Sequence, residues 1–414
     1  MAARLVYLDN NATTQLDPAF LDLMRPYWQE QYFNPSSHYQ EALPVKKAID
    51  QARKDILTAL GDPQGQVYFT CNATDSNNWI IRQSLKNALA VCQGGRNQVI
   101  TSAVEHPSIL NLVAQLEKEG FAVVRLPVNE QGEINPADLI NALSPQTAIV
   151  SIMHANNETG VIFPITKLAQ IVKDFDPTII FHSDITQTLG KLPLDLADPA
   201  WHNVDALSFS GHKIYAPKGI GVLYARQNLF LHQMIIGGHQ EAGKRGGTEN
   251  TPYIIALAAA VKKAAREAPL AEKRYRPWQK ALEDFVTQNI PQVRINGQKA
   301  NRLPGTSSIS FAGIEGESIV YLLSQKGICA STGSACSSDS LLPSPVLEAM
   351  QVPFTFAHGT IRFSWGRFNQ EDDLKILQAQ LPGVIQELCH LSPFWSESKQ
   401  DLHWAKINEL NDQH

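Results

Sequence analysis

Cysteine is scarce in this chain: five in 414 residues, at positions 71, 92, 329, 336 and 389. The number is odd and no two stand in a CxxC spacing, which argues against a disulfide framework or a zinc site and fits a reducing compartment. Charge is sparse as well. Asp, Glu, Lys and Arg make up only 18% of the chain and the formal net charge is -5. No block of lysine and arginine is present to neutralise a phosphate backbone, so nucleic acid is not an expected partner. The longest apolar run, Tyr253 to Val261, is far short of the roughly 20 residues that a membrane span needs. Near the N-terminus, Leu5-Val6-Tyr7-Leu8-Asp9 follows almost at once, leaving no room for an apolar signal core or an arginine-rich transit peptide. Internal repeats and low-complexity tracts are missing too. Together these absences lead to the expectation of a soluble cytoplasmic protein with no membrane contact and no metal site.

What is present is an ordinary hydrophobic fraction, 43%, in a chain long enough for two domains. From Val45 onward helical and strand patterns alternate. Val45 to Leu60 reads as a helix stopped by Gly61, Gln66 to Thr70 as a strand, and Ser76 to Ala90 as a helix. Further strands are expected at Gln98 to Ser102, Ala122 to Leu126, Ala148 to Met153, Thr178 to His182, Val204 to Phe209 and Gly221 to Ala225. Such alternation predicts an α/β fold whose mostly parallel sheet is covered on both faces. Ala-rich Pro252 to Ala268 reads as a helix with proline in its first turn, after which shorter strands such as Ser307 to Phe311 take over. The expected division is a large domain over 15–265 and a smaller α/β domain over 266–414, joined by residues 1–14.

Ligands of an open parallel sheet gather where strands end at their carboxyl edge. Cys71 to Thr74, His106, Asn156, Asp184 and Ser210 to Lys213 each follow a strand-like run, which a random scatter of polar residues would not do. Lys213 closes Ser208-Phe209-Ser210-Gly211-His212-Lys213 with an amine that can hold an aldehyde cofactor as a Schiff base; a solvated surface lysine is the bland alternative. Asp184 ends Phe181-His182-Ser183-Asp184 with a carboxylate suited to a pyridine nitrogen, although alone it would read as a helix cap before Thr186-Gln187-Thr188. Ala73-Thr74-Asp75-Ser76 opens a helix and so offers phosphate donors, Thr74 first. Arg362 presents a planar fork suited to a carboxylate, against the alternative of an exposed salt bridge. Cys336, in Ala330-Ser331-Thr332-Gly333-Ser334-Ala335-Cys336, stands in a stretch too polar to bury well, which favours a nucleophile over an inert core thiol.

These motifs together resemble the cysteine desulfurases, NifS- and IscS-like members of the class V aminotransferase family. The similarity runs from Tyr7-Leu8-Asp9-Asn10-Asn11-Ala12-Thr13-Thr14 to Ile361-Arg362-Phe363-Ser364. The resemblance implies the aspartate aminotransferase-like fold, fold type I, with pyridoxal 5'-phosphate on Lys213. It implies that His106 stacks on the ring and relays protons, that Gln187 bonds the phenolic oxygen, and that Ala73, Thr74, Ser210 and His212 hold the phosphate. It further implies that Thr248 reaches over from a partner subunit in a homodimer, and that Asn34, Asn156 and Arg362 meet the substrate, L-cysteine. Asn156 also belongs to the implied cofactor set. Cys336, on a loop at about 329–340, then receives the sulfur for an iron-sulfur scaffold or another acceptor, and alanine is released. Rivals are a cystine or cysteine C-S lyase, a selenocysteine lyase, a plain aminotransferase and a dead enzyme kept as a sulfur-relay partner. The chain departs from the usual family pattern at Cys71-Asn72, Asp75 and Gly246. Asn72, where glycine is common, is expected to restrict the backbone and alter cofactor affinity.

Overall fold

The computed structural model describes residues 4–91, 95–333, 344–396, 401–402 and 406–407. A short first strand, β1 (Val6–Tyr7), precedes the helix Ala42–Leu60, which ends on Gly61 in the left-handed conformation as its sequence predicts. There follow β2 (Gln66–Thr70), β3 (Gln98–Ser102), β4 (Ala122–Leu126), β5 (Thr147–Ser151), β6 (Ile180–Asp184), β7 (Ala206–Ser210) and β8 (Gly221–Ala225). They form one sheet in the order β2-β8-β7-β6-β5-β3-β4. Every neighbouring pair from β7 to β4 is parallel; β8 runs antiparallel to both β7 and β2. Because β8 reverses between them, β2 points the same way as β7.

Apolar cores on both faces explain why these strands read as runs rather than alternations. Val67 and Phe69 enter one cluster and Tyr68 the other; Ile100, Val150, Leu207 and Val222 divide from Val99, Ile149, Ala206 and Leu223 in the same way. Successive side chains point to opposite faces, so each strand feeds both cores. Three strands differ from their expected bounds by up to two residues, and β6 takes in Asp184 itself.

The helix expected to end near Ala268 runs on to Asn289, 39 residues in all, through Pro269 and Pro277. A proline inside a helix removes a hydrogen bond and crowds the preceding turn. Here each end of the helix is buried in a different core: Ile254, Leu257 and Val261 in the large one, Leu282 and Val286 in another. That packing outweighs the local penalty. The expected boundary at 265/266 therefore falls within a continuous helix.

The second core is built on an antiparallel sheet of order β12-β13-β10-β9, made of β9 (Val293–Ile295), β10 (Thr306–Phe311), β12 (Ser331–Thr332) and β13 (Thr360–Ser364). Between β10 and β12, the short β11 (Ile328–Cys329) pairs in parallel with β1, which brings Val6 and Leu8 into this core. No helix among the described residues is long and apolar enough to cross a membrane.

Candidate active site

Parallel β2, β3, β5, β6 and β7 bring their carboxyl ends to one edge, and Ala73, Thr74, His106, Asn156, Asp184 and Lys213 follow them there. Beyond Ser210 the chain makes a single 3-10 turn, Gly211–Lys213, which lifts Lys213 off the sheet. Lys213 Nζ donates to the carbonyls of Asn11 at 2.5 Å and Ala12 at 2.6 Å. Thr14 in turn donates its backbone N-H to His212 O, and Thr13 Oγ1 meets His212 Nδ1 at 3.0 Å. The N-terminal segment is thus part of the site wall, a role that the sequence alone did not assign to it.

Asp184 accepts from Asn77 Nδ2 at 2.8 Å and from Thr186 N at 2.9 Å. Asn77 also donates to Ser108 Oγ at 2.9 Å and accepts from Ser208 Oγ, while Ser208 meets His182 Nε2 at 3.1 Å. A buried network therefore backs the carboxylate and fixes it in place. Asn77, Ser108, Ser208 and His182 were not picked out from sequence. A signal existed for Asn77: it shares a helix face with Ile80 and Ile81, both fully buried, where a polar residue is out of pattern.

His106 caps the helix Pro107–Lys118, its Nδ1 accepting from Ser108 N at 3.1 Å. An accepting Nδ1 leaves the proton of the neutral ring on Nε2. Burial, reinforced by the charge of Lys213 and opposed by Asp184, holds the imidazole below its usual range. Beside it Glu105 accepts from Ser102 Oγ at 2.6 Å and Met153 N at 3.0 Å, and burial pushes its carboxyl up to about 8. Glu105 pins the loop after β3 to the loop after β5, and Asn156 Nδ2 does the same through Val104 O at 2.9 Å. The Asn156 carbonyl oxygen accepts from Glu158 N and from both N and Oγ1 of Thr159, so this amide is occupied in shaping its own turn.

At the phosphate end, Ala73 N donates to Ser210 Oγ at 2.7 Å, joining two expected donors at the N-terminus of the helix Ala73–Val91; Thr74 is exposed there. The expected strain at Asn72 is not found. Its φ is not positive, and its side-chain oxygen accepts from Asp75 N at 3.0 Å, so it acts as a cap. Close approach is provided across the sheet edge by Gly221, where a Cβ would lie 2.7 Å from both Cα and C of Asn72. Gly246 has a similar cause: a Cβ would lie 2.6 Å from Gly237 Cα, where two backbone segments touch. His212 is pushed down to about 4 by burial, then by Lys213, Lys218 and His106, so it is a neutral group here.

Arg362 is buried on β13. Its Nη2 pairs with Asp9 Oδ1 at 2.7 Å and its Nη1 donates to Asn157 O at 3.0 Å, while its buried Nε has no partner among the described residues. Gln187 Nε2 donates to Asn11 O at 3.0 Å. Asn34 is exposed and binds within its own turn, Thr248 is exposed ahead of the long helix, and neither is brought to the group. Cys336 lies outside the described residues. The set has an amine, a carboxylate behind it, a held aromatic ring, helix-start donors and an unsatisfied guanidinium N-H. It fits pyridoxal phosphate with an amino acid.

Residues 6–377 match the family model described as Aminotransferase class-V. The chain is 44% identical over 392 residues to a cysteine desulfurase of Gluconacetobacter diazotrophicus, covering 94% of this chain and 96% of that one. It is 40% identical to cysteine desulfurase NifS of Azotobacter vinelandii, covering 94% and 95%. Among solved structures, a NifS-like protein superposes with a TM-score of 0.85 at 32% identity, covering 93% of this chain and 100% of that one. Full-length similarity at this level, on the fold and edge geometry just described, makes the chain a member of the class V aminotransferase family and, within it, of the pyridoxal-phosphate-dependent NifS-like cysteine desulfurases.

Proposed function

We propose that this enzyme takes the sulfur of L-cysteine onto Cys336 and releases L-alanine, the thiol of Cys336 becoming a persulfide for transfer to an iron-sulfur scaffold or another acceptor. The atoms balance: the substrate's C-S bond breaks, its sulfur joins Cys336, and the β-carbon gains a proton. What carries the reading is the convergence of Lys213, Asp184 and His106 at one edge of the seven-stranded sheet, with Arg362 brought near from β13 of the second sheet. When bound, pyridoxal phosphate supplies an electron sink conjugated to the substrate's α-carbon. Lys213 would hold its aldehyde carbon, Asp184 its ring nitrogen, Gln187 its phenolic oxygen, and Ala73, Thr74, Ser210 and His212 its phosphate, with Thr248 from a second copy.

Arg362 orients the substrate carboxylate, for which its unpartnered Nε is a ready donor. Lys213 and the Nε2 proton of His106 are the groups that move protons. Ser331, five positions before Cys336 in the sequence, stands opposite Arg362 in the β12-β13 ladder. That register supports the nucleophile reading over a lyase. Cys71 and Cys329, in no disulfide, accord with a cytoplasmic setting.

Cys336→Ser tests the reading. The variant should bind cofactor and cysteine yet release almost no alanine, and sulfur-labelled cysteine should mark the wild type, but not the variant, in a thiol-removable form. Wild-type turnover by Cys336→Ser, giving pyruvate in place of alanine, would replace the desulfurase reading with the lyase.

A further inference from the structure

Lys191 belongs to the turn after Gln187, between Leu189 and Leu192. Its side chain is half-buried and lines a cavity shared with Lys213, and desolvation acts on its amine. Nζ donates to Asn11 Oδ1 at 2.6 Å and to Gln187 Oε1 at 3.1 Å. It forms no ion pair with a described carboxylate, and the charges acting on it, Lys213 and Arg362, are both positive. Burial first, then those two cations, pushes the amine down to about 7. A desolvated amine without a counter-charge costs folding free energy.

A side-chain amide can flip, since its oxygen and nitrogen ends are nearly the same shape. Below about 7 the Lys191 amine is an ammonium that only donates, so each amide touching it must then turn its oxygen toward it. For Gln187 this leaves Nε2 as a fixed outward donor, which in this structure reaches Asn11 O. For Asn11 it leaves Nδ2 facing Asn157 O at 3.2 Å and Thr306 Oγ1 at 3.1 Å. Asn157 O is also the acceptor of Arg362 Nη1. One amine thereby sets the polarity of two amides, one toward the ring side of the site and one toward Arg362.

We propose that Lys191 is a positioning residue that locks the amide of Gln187 with its N-H toward the cofactor's phenolic oxygen, and the amide of Asn11 against the carbonyl that steadies Arg362. This rests on the cofactor placement proposed above. Lys191 acts through Gln187 on cofactor affinity and through Asn11 on the substrate carboxylate.

The test uses purified holoenzyme and the same protein after cofactor removal, buffered below about pH 7 so that the Lys191 amine is protonated, titrated with pyridoxal phosphate and followed by absorption and fluorescence. Lys191→Met should weaken cofactor affinity about tenfold and displace the long-wavelength absorption band, from the loss of charge-assisted bonds to two amides. The cofactor-free variant should melt no lower than cofactor-free wild type; a purely structural lysine would lower that melting temperature instead. In a Gln187→Ala background, Lys191→Met should change affinity less than about twofold, since the two share one contact. Lys191→Arg, also donor-only, should keep the wild-type band, and it serves as the readout should the methionine variant fail to fold. Independent, multiplicative effects of the two substitutions would overturn the inference, as would a wild-type band in Lys191→Met. A wild-type protein with no cofactor band would overturn the placement itself, and this inference with it.

Discussion

At the scale of the residue, the site works by holding its reactive side chains through hydrogen bonds to groups behind them. Asp184 has both oxygens engaged, one by Asn77 and one by a backbone N-H, so its carboxylate cannot swing away from a ring nitrogen placed against it. Asp184→Ala should therefore weaken cofactor binding and lower kcat by on the order of a hundredfold, a carboxylate at that nitrogen being what keeps the ring protonated. Steady-state kinetics at saturating cofactor checks the second part, and unchanged kcat would return Asp184 to a capping role. Lys213→Ala should abolish turnover. Borohydride reduction followed by peptide mapping should find the cofactor on Lys213 in the wild type and on no lysine in the variant.

At the scale of the element, close approach matters more than propensity. The helix carrying Ala73 and Thr74 comes within reach of Ser210 because β8 starts with Gly221, whose missing Cβ leaves room for the Asn72 backbone. Neither Asn72 Cα nor Phe209 O, 2.9 Å from that Cβ position, can rotate aside as a side chain could. Gly221→Ala should destabilise the protein by roughly 1–3 kcal/mol and weaken cofactor binding together with it. Gly383 provides the contrast: it lies inside the helix Glu371–Leu391 with nothing within 4 Å of the position a Cβ would take, so Gly383→Ala should stabilise by about 0.5–1 kcal/mol. Thermal melts of the two variants beside wild type separate the cases, and equal effects would refute the steric account. The same scale explains the long helix. Propensity stops it at Pro269, and two buried ends carry it through.

At the scale of the whole molecule, burial of histidines sets the acid limb of stability. His154 is pushed down to about 4 by burial alone, and its Nδ1 has no partner among the described residues. The sign follows from the proton count: between about 6.5 and 4 the unfolded chain binds a proton at this residue that the folded chain refuses, so stability falls as pH falls through that window. The shift corresponds to roughly 3 kcal/mol, fully expressed only near its lower end. His182, also pushed to about 4, adds to the same limb. Glu105 and Glu158, raised to about 8 and 7, have the opposite slope, losing stability as pH rises from the carboxylate range toward those values. The two pairs oppose one another between about 6.5 and 4.5, so the contribution of His154 is read as a difference: relative to wild type, His154→Leu should gain melting temperature as pH falls below about 6.5, with the alkaline side unchanged. An acid limb identical to wild type would mean that His154 takes up its proton without penalty.

Much of the architecture was legible because it is written locally. Apolar runs bounded by turn residues marked the strands within two positions, and the chemistry-bearing side chains follow those runs directly, so Lys213, Asp184 and His106 could be placed at one edge from the chain alone. The neutral state of His212, the capping role of Asn72 and the spent amide of Asn156 were not legible. They depend on which groups meet after folding. Asn77 and Asp184 are 107 positions apart, and Lys191 and Asn11 are 180 apart. Hydrogen bonds across such distances leave no periodic trace, since either partner alone looks like any other polar residue in a turn or helix. The sequence by itself determined the parts and the reactive groups; only the tertiary structure decided their partners, because burial removes water and forces each polar atom to find its bond in whatever the fold brings alongside.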